Sequence, residues 1–209
     1  NTSGEIYGLI DSIDLLKIHG YSAVSLIQSI QNAKTPEEIR QRHEKMATFI
    51  KAILDAGSQP QHVNRLISRI CDVITLKLID FALEEFGPAP AAFAFMVLGS
   101  VGREEQTLNT DQDNALVFAD QNDDAENEKA QAYFLRFSER ICGWLDDIGY
   151  QYCDGDIMAQ NPRWCQPLSA WKKHFGNWIY KAEPQEMLEV NIFFDFRCLY
   201  GEPHLTDAI

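Results

Sequence analysis

Residues 93–118 read FAFMVLGSVGREEQTLNTDQDNALVF, and this stretch decides the fold. It opens with a short apolar run, residues 93–98, which is typical of a buried strand. A polar connection that contains two glycines follows, and residues 114–119 form a second run that is apolar after Asn114. The stretch therefore predicts two buried strands joined by a polar, glycine-containing connection.

Helical spacing of apolar residues dominates the chain on both sides of this stretch. It covers residues 5–18, 21–32, 36–57 and 60–87, reappears before Gly149, and recurs at 168–180. Residues 150–167 read as irregular, and residues 190–199 read as a last strand that Asp195 interrupts. Because helices come first and strands mix with helices later, we expect an α+β fold, with α/β as the other possibility.

A Gly- and Pro-rich break, Gly87-Pro88-Ala89-Pro90, separates the helical first part of the chain from the part that mixes strands and helices. Such a break is typical of a subdomain boundary. We therefore predict a helical N-terminal subdomain over residues 1–87 and a second domain, which carries the candidate chemistry, over residues 88–209.

The chain is strongly acidic, with a formal charge of −13. It will not bind nucleic acid through a general phosphate-neutralising surface, so an anionic substrate must be held locally, by amides, a few basic side chains or a bridging metal ion. The five cysteines show no C-x-x-C spacing, which favours reduced thiols in a cytoplasmic protein. No apolar run of about 18 residues occurs, so no membrane span is predicted.

Gly99-Ser100 and Asp111-Gln112-Asp113 form the candidate active site. Gly99 lets the backbone approach a ligand, Ser100 offers a hydroxyl and an amide to a phosphate oxygen, and a short helix beginning after Gly102 would add free amides. Residues i and i+2 of a strand share a face, so both carboxylates can hold the same hard cations. Each pattern is weak alone, but their combination and spacing predict a site for a triphosphate and its metal.

Asp195 is the candidate for a third acid. Its neighbours in sequence are apolar, and a strand that buries such neighbours does not normally carry a carboxylate without a partner. Asp195 could complete the metal site or deprotonate the attacking hydroxyl. A salt bridge to Arg197 or Arg103 is the alternative interpretation.

Arg103 and the loop 158–164 each allow two interpretations. Arg103 could bind a phosphate or orient an acid, and a structural pair with Glu104 or Glu105 explains it equally well. The loop could cover a nucleotide base, or it could pack on the helical part of the chain.

At these residues the sequence resembles the polymerase-β-like nucleotidyltransferase superfamily. Residues 98–117, LGSVGREEQTLNTDQDNALV, are most similar to the nucleotidyltransferase domain related to bacterial PII uridylyltransferase. GDIMAQNPRW at 155–164 and FFDFR at 193–197 resemble later segments of the same family. The helical stretch before Pro88 resembles the family's helical lead-in.

The resemblance implies a mixed β-sheet flanked by helices. It implies Asp111 and Asp113 as paired ligands of Mg²⁺ or Mn²⁺, with Asp195 as a looser match to a third, and Gly99 and Ser100 as the phosphate-holding turn. It also implies a longer signalling protein in which cyclic-nucleotide-binding and CBS domains accompany this one. The uridylyltransferase typically has Gly-Gly-Tyr-Gly and Asp-Ile-Asp where this chain has Gly-Ser-Val-Gly and Asp-Gln-Asp, which leaves the base and the acceptor open.

Two hypotheses of function follow. In the first, the protein is an enzyme that transfers UMP or AMP from a nucleoside triphosphate to a hydroxyl of an acceptor protein, PII-like or another. In the second, it is a sensor that binds a nucleotide without turnover and signals occupancy to neighbouring domains. The retained pair of aspartates favours the enzyme, because a pure binder has less need of two metal ligands.

Overall fold

The computed structural model describes residues 22–181 and 191–209, so the predicted helix at 5–18 lies outside the described residues. Within the described residues four helices come first: α1 (Ala23–Gln31), α2 (Pro36–His43), α3 (Met46–Asp55) and α4 (Pro60–Phe86). The middle of the chain holds β1 (Phe93–Val97), the one-turn helix α5 (Gly99–Gly102), β2 (Asn114–Phe118) and α6 (Asp124–Ile148). The last elements are β3 (Cys165–Pro167), α7 (Leu168–Lys181), β4 (Arg197–Gly201) and α8 (Pro203–Asp207).

The four strands form one mixed sheet in the order β3-β2-β1-β4. Strand β1 pairs antiparallel with both β2 and β4, whereas β2 pairs parallel with β3. The register of the central pair sets Val97, the last residue of β1, opposite Asn114, the first residue of β2. The end of one central strand and the start of the other therefore meet at the same edge of the sheet.

Both faces of the sheet are covered, which explains why β1 and β2 are buried at every position. Because side chains alternate along a strand, Phe93, Phe95, Leu116 and Phe118 enter a core shared with α4 and α6. Ala94, Met96, Ala115 and Val117 enter a second core with an aromatic cluster: Trp164, Trp171, Phe175, Trp178 and Phe193. The indole N–H of Trp171 donates to the carbonyl of Leu116 at 3.0 Å and ties α7 to the sheet.

Local capping residues fix where several helices begin. Thr35 accepts a hydrogen bond from the backbone N–H of Glu38 at 3.2 Å, and Pro36 occupies the first turn of α2. At the start of α6, Asp123 accepts from the N–H of Glu126 at 2.8 Å. Gly149 ends α6 with a φ of 122°, in the region that favours glycine. The helix start at Thr35-Pro36 and the helix end at Gly149 are thus confirmed.

The α+β prediction and the mixed sheet flanked by helices are confirmed. Three local predictions were wrong. The stretch 36–57 is two helices, since a turn at residues 44–45 separates α2 from α3. Residues 165–167, read as irregular, form β3, an edge strand in which Pro167 is tolerated. Residues 191–194 are helical and the last strand begins only at Arg197, because a short apolar run does not by itself separate helix from strand. The boundary at 87/88 stays a prediction.

Helix α4 is joined to the sheet by a buried ion pair. The guanidinium of Arg197, on β4, donates to the Asp72 carboxylate at 2.6 Å, and the Asp72 side chain is only 5% exposed. Burial raises the pKa of Asp72 above its ordinary value even with Arg197 beside it. The pair therefore matters chiefly because either partner alone would be a poorly solvated charge.

Replacing Arg197 with Met is expected to lower the free energy of unfolding by roughly 2–4 kcal/mol at neutral pH, because the Asp72 carboxylate then has no partner. The loss should be smaller at about pH 5 than at about pH 8, since a carboxyl with a raised pKa takes up a proton as the pH falls. Urea unfolding followed by circular dichroism measures both values.

Arg140→Met serves as the matched control, because Arg140 pairs with Glu85 at 3.1 Å on the surface, where both side chains are nearly half exposed. It should cost less than about 1 kcal/mol. Equal losses in the two variants would contradict a special role for the buried pair.

Candidate active site

The Gly-Ser turn lies directly beside the second aspartate. Strand β1 runs into Leu98, whose N–H donates to the carbonyl of Asp113 at 3.0 Å. Gly99 then adopts a φ of 53°, and a Cβ there would lie 2.8 Å from Ile192 Cγ1 and 3.6 Å from Asp113 Oδ2. Only glycine fits this position without strain, so the way that the chain turns next to the carboxylate requires Gly99.

A short helix does lie at this point of the chain, but it spans Gly99–Gly102, one turn earlier than a helix that begins after Gly102. Ser100 is half-buried in this turn, next to Gly99. The backbone of Asp195 packs so closely on Gly102 that a Cβ at Gly102 would collide with the Asp195 carbonyl oxygen.

Asp111 and Asp113 lie side by side at the entrance to β2. Asp111 is exposed, whereas Asp113 is only 9% exposed. Their carboxylate oxygens and the sulfur of Cys153 all lie within 4.8 Å of one another. Among residues 22–181 and 191–209, this is the only such group of three potential metal ligands.

Gln112, between the two aspartates, holds the segment 111–113 in place through three hydrogen bonds. Its side-chain amide donates to the carbonyl oxygens of Cys142 at 3.0 Å and Tyr150 at 2.8 Å. Its backbone N–H donates to Gln151 at 2.9 Å. Because Gln112 is buried and held by these three hydrogen bonds, the segment that carries Asp111 and Asp113 is fixed in position.

The electrostatics of the pair are unfavourable in the isolated chain. Burial, and secondarily the charge of Asp111, raise the pKa of Asp113 to about 6. Within the described part of the chain, no salt bridge to Asp111 or Asp113 is found. Two carboxylates that share a half-buried position without a cationic side chain are the donor set that a hard divalent cation prefers, so these residues fit a bound metal.

Cys153 is a member of this cluster that sequence reasoning missed. The segment 151–157 runs alongside the aspartates: Gln151 bridges Asp111 in parallel fashion, and the carbonyl of Ile157 accepts from Asn114 at 3.2 Å. Cys153 lies between these two points. Forty residues of chain separate it from the aspartates, and no spacing motif links them, so only the tertiary fold reveals the contact.

Arg103 and Asp195 are paired with each other, at 2.6 Å. Arg103 also donates to Glu105 at 2.9 Å, which means that both structural alternatives considered for these residues are realised. Asp195 is adjacent to the turn but lies outside the cluster of Asp111, Asp113 and Cys153. Its role as a third acid, and the role of Arg103 towards phosphate, stay predictions.

The loop 158–164 packs against the start of β2 and contributes residues to both cores. The N–H of Ala159 donates to the side-chain oxygen of Asn114 at 2.8 Å, and Ala159 is fully buried. Trp164 packs on Phe193 with 4.3 Å between ring centroids, and the Arg163 guanidinium lies 4.5 Å from the Trp164 ring centre. The loop thereby holds Asn114, the first residue of β2, in place.

The raised pKa of Asp113 predicts a stability change with pH in the metal-free protein. The folded state holds this proton up to about pH 6, whereas the unfolded chain loses it near the ordinary value of 3.8. The free energy of unfolding should therefore fall by roughly 2–3 kcal/mol as the pH rises from about 4 to about 6. Asp113→Asn should remove this pH dependence of the free energy of unfolding. Asp80→Asn, on the exposed surface of α4, should leave it unchanged. Parallel urea titrations with a chelator measure the difference, and identical pH profiles for wild type and Asp113→Asn would refute the assignment.

No helix in the described part of the chain combines the length and apolarity needed to span a bilayer.

No curated protein matches the chain. A family model does match, over residues 44–185, and its description is "Putative nucleotidyltransferase DUF294". The match takes in the Gly-Ser turn, the two aspartates and Cys153, and it covers about two thirds of the 209 residues. The chain therefore belongs to the nucleotidyltransferase family DUF294.

Proposed function

We propose that this protein is a metal-dependent nucleotidyltransferase that transfers UMP or AMP from a nucleoside triphosphate to a hydroxyl of an acceptor protein. The observation that carries the proposal is the position of Asp111 and Asp113 directly beside the Gly99-Ser100 turn. In this arrangement the turn would receive the β- and γ-phosphates while the carboxylates hold the metal that contacts the α-phosphate. A divalent cation bound there would neutralise charge on the transferring phosphoryl group.

The residues of the chain would contribute positioning and exclusion of water. Gly99 brings the backbone close to the ligand, and Ser100 supplies a hydroxyl and an amide for a phosphate oxygen. Gln112 keeps the two carboxylates aimed at one point, through its hydrogen bonds to Cys142 and Tyr150. Rigid ligands of this kind save the cost of reorganisation during the reaction.

Asp195 would act as a third ligand or as the base on the acceptor hydroxyl, once it separates from Arg103. Their pair is nearly half exposed on both sides, so exchange of one partner for water or phosphate costs little. On this proposal Arg103 moves from Asp195 to a phosphate when the triphosphate binds, and the carboxylate of Asp195 becomes free.

The acceptor is proposed by likeness to the PII uridylyltransferase: a side-chain hydroxyl, such as that of tyrosine, on a PII-like or other regulatory protein. Cyclic-nucleotide-binding and CBS domains in the longer chain would then control the transfer. The acidic surface, with a net charge of −13, supports a protein acceptor over a nucleic acid.

A nucleotide sensor without turnover is the second candidate. The observation that favours it is the closed pair of Arg103 and Asp195, which leaves two carboxylates rather than three in the cluster. In a sensor, the triphosphate and its metal would bind at the same turn, and occupancy would be passed to the neighbouring domains.

Asp111→Asn is expected to reduce nucleotidyl transfer by roughly 1,000-fold or more, because a lost metal ligand removes several kcal/mol of charge stabilisation. The fold should be unaffected, since Asp111 is exposed. Transfer of labelled UTP or ATP to candidate acceptor proteins, together with release of pyrophosphate, measures the activity.

Asp80→Asn is the control for that experiment, and it should retain full activity. Undiminished transfer by Asp111→Asn would sink the site assignment. Thermal stabilisation by a triphosphate with Mg²⁺, without pyrophosphate release for any acceptor, would favour the sensor over the enzyme.

A further inference from the structure

The cluster at the entrance to β2 contains a thiol that the proposed reaction does not use. We propose that Cys153 Sγ is a ligand of a divalent cation together with Asp111 and Asp113, and that it lets the site take a thiophilic ion of the Zn²⁺ class in competition with Mg²⁺. This inference rests on the metal site in the proposed function but concerns which ion that site accepts. It does not require that the protein turn over a nucleotide.

The first argument is geometric. One carboxylate oxygen from each aspartate and the sulfur lie within 4.8 Å of one another, so small rotations of three side chains bring all three onto one ion. Zn²⁺ binds thiolate sulfur at about 2.3 Å and carboxylate oxygen at about 2.0–2.2 Å in a tetrahedral arrangement. Three protein ligands of these types leave one position for water or substrate, as in open zinc sites.

The second argument is the buried state of Asp113. Its carboxylate is nine-tenths buried, faces Gly99 and Cys153, and is found in no salt bridge within residues 22–181 and 191–209. Its hydrogen-bonding partner is the Cys153 thiol, which carries no positive charge. A divalent cation would take the place of the thiol proton between the sulfur and the carboxylate, and it would supply the positive charge that this buried carboxylate lacks.

The third argument is how the sulfur is held. The backbone N–H groups of Gly155 and Ile157 both donate to Cys153 Sγ. A tight turn places them there: the N–H of Asp156 donates to the Cys153 carbonyl at 2.9 Å, and Asn161 donates to the Asp156 carboxylate at 2.8 Å. The turn therefore fixes the position of the sulfur beside the two carboxylates.

The other four cysteines differ from Cys153 in their surroundings. Cys71, Cys142 and Cys165 are buried, and none of them is grouped with two carboxylates of the described residues. Cys198 is half-buried but directs its thiol to the carbonyl of Tyr200 at 3.5 Å. In the described part of the chain, Cys153 is the cysteine grouped with two carboxylates.

The chemical consequence is a choice of ion. Mg²⁺ prefers oxygen ligands in octahedral geometry and has little affinity for sulfur. Zn²⁺ and Cd²⁺ accept sulfur readily, so a site with one thiolate and two carboxylates binds them more tightly than a site with carboxylates alone. We therefore expect micromolar or tighter binding of Cd²⁺ and displacement of Mg²⁺ by Zn²⁺.

The test is a titration of the 209-residue chain with Cd²⁺ alone, followed by the sulfur-to-cadmium charge-transfer absorption in the ultraviolet. Wild type should bind one Cd²⁺ with this band at high affinity, and Cys153→Ser should lose the band and bind at least about tenfold more weakly. Cys198→Ser is the matched control and should behave as wild type. Asp111→Asn should weaken Cd²⁺ binding while the band persists at saturation.

The outcome is separate from that of the transfer assay. A Cd²⁺ band that survives unchanged in Cys153→Ser would overturn the inference, whether or not the protein transfers nucleotides. Loss of the band in that variant would support it, even if no acceptor is ever modified and the proposed function fails. Should Cys153→Ser not fold, ¹¹³Cd NMR of wild type decides the matter, because a shift typical of all-oxygen coordination would equally overturn the proposal.

Discussion

The hydrogen bond from the Leu98 N–H to the Asp113 carbonyl is the contact on which the candidate site depends. It is the hydrogen bond next to the Val97–Asn114 pair, at the end of the β1–β2 pairing, and it sets the distance between the Gly-Ser turn and the aspartate pair. Because β1 leaves the sheet where β2 enters it, two motifs that are about ten residues apart in sequence become neighbours. The two cores stabilise the strand pair that makes this hydrogen bond: α4 and α6 cover one face of the sheet, and the tryptophan cluster covers the other.

The sequence predicted the parts of this arrangement that depend on local pattern. The apolar runs at 93–98 and 114–119 identified the two central strands, and Thr35-Pro36 and Gly149 marked helix ends, because capping and burial leave their signal within a few residues. The joint presence of Gly-Ser and Asp-x-Asp identified the candidate site for the same reason. The turn geometry at Gly99 adds the physical cause: a side chain there would strike Ile192.

Contacts between distant segments could not be predicted in this way. Cys153 reaches the aspartates only because residues 151–157 run beside the start of β2, and nothing in the sequence around Cys153 announces that pairing. The run 192–194 is apolar, as in a buried strand, yet Phe193 packs in the tryptophan cluster and residues 191–194 are helical. The partner of Asp195 was one of two arginines on sequence grounds, and the fold assigns the other arginine to Asp72 on α4. Tertiary packing decided each of these cases.

Gln112 attaches the segment that carries the two aspartates to α6. Its side-chain amide joins the segment to Cys142, in the last two turns of α6, and to Tyr150, just past the end of that helix. The two carboxylates are thus fastened to a 25-residue helix, while the Gly-Ser turn beside them belongs to a single short turn of helix. The position of the carboxylates therefore depends on a helix that contributes no ligand of its own. A substitution in the core of α6 that displaces Cys142 or Tyr150 would move Asp111 and Asp113 relative to the Gly-Ser turn without touching either carboxylate.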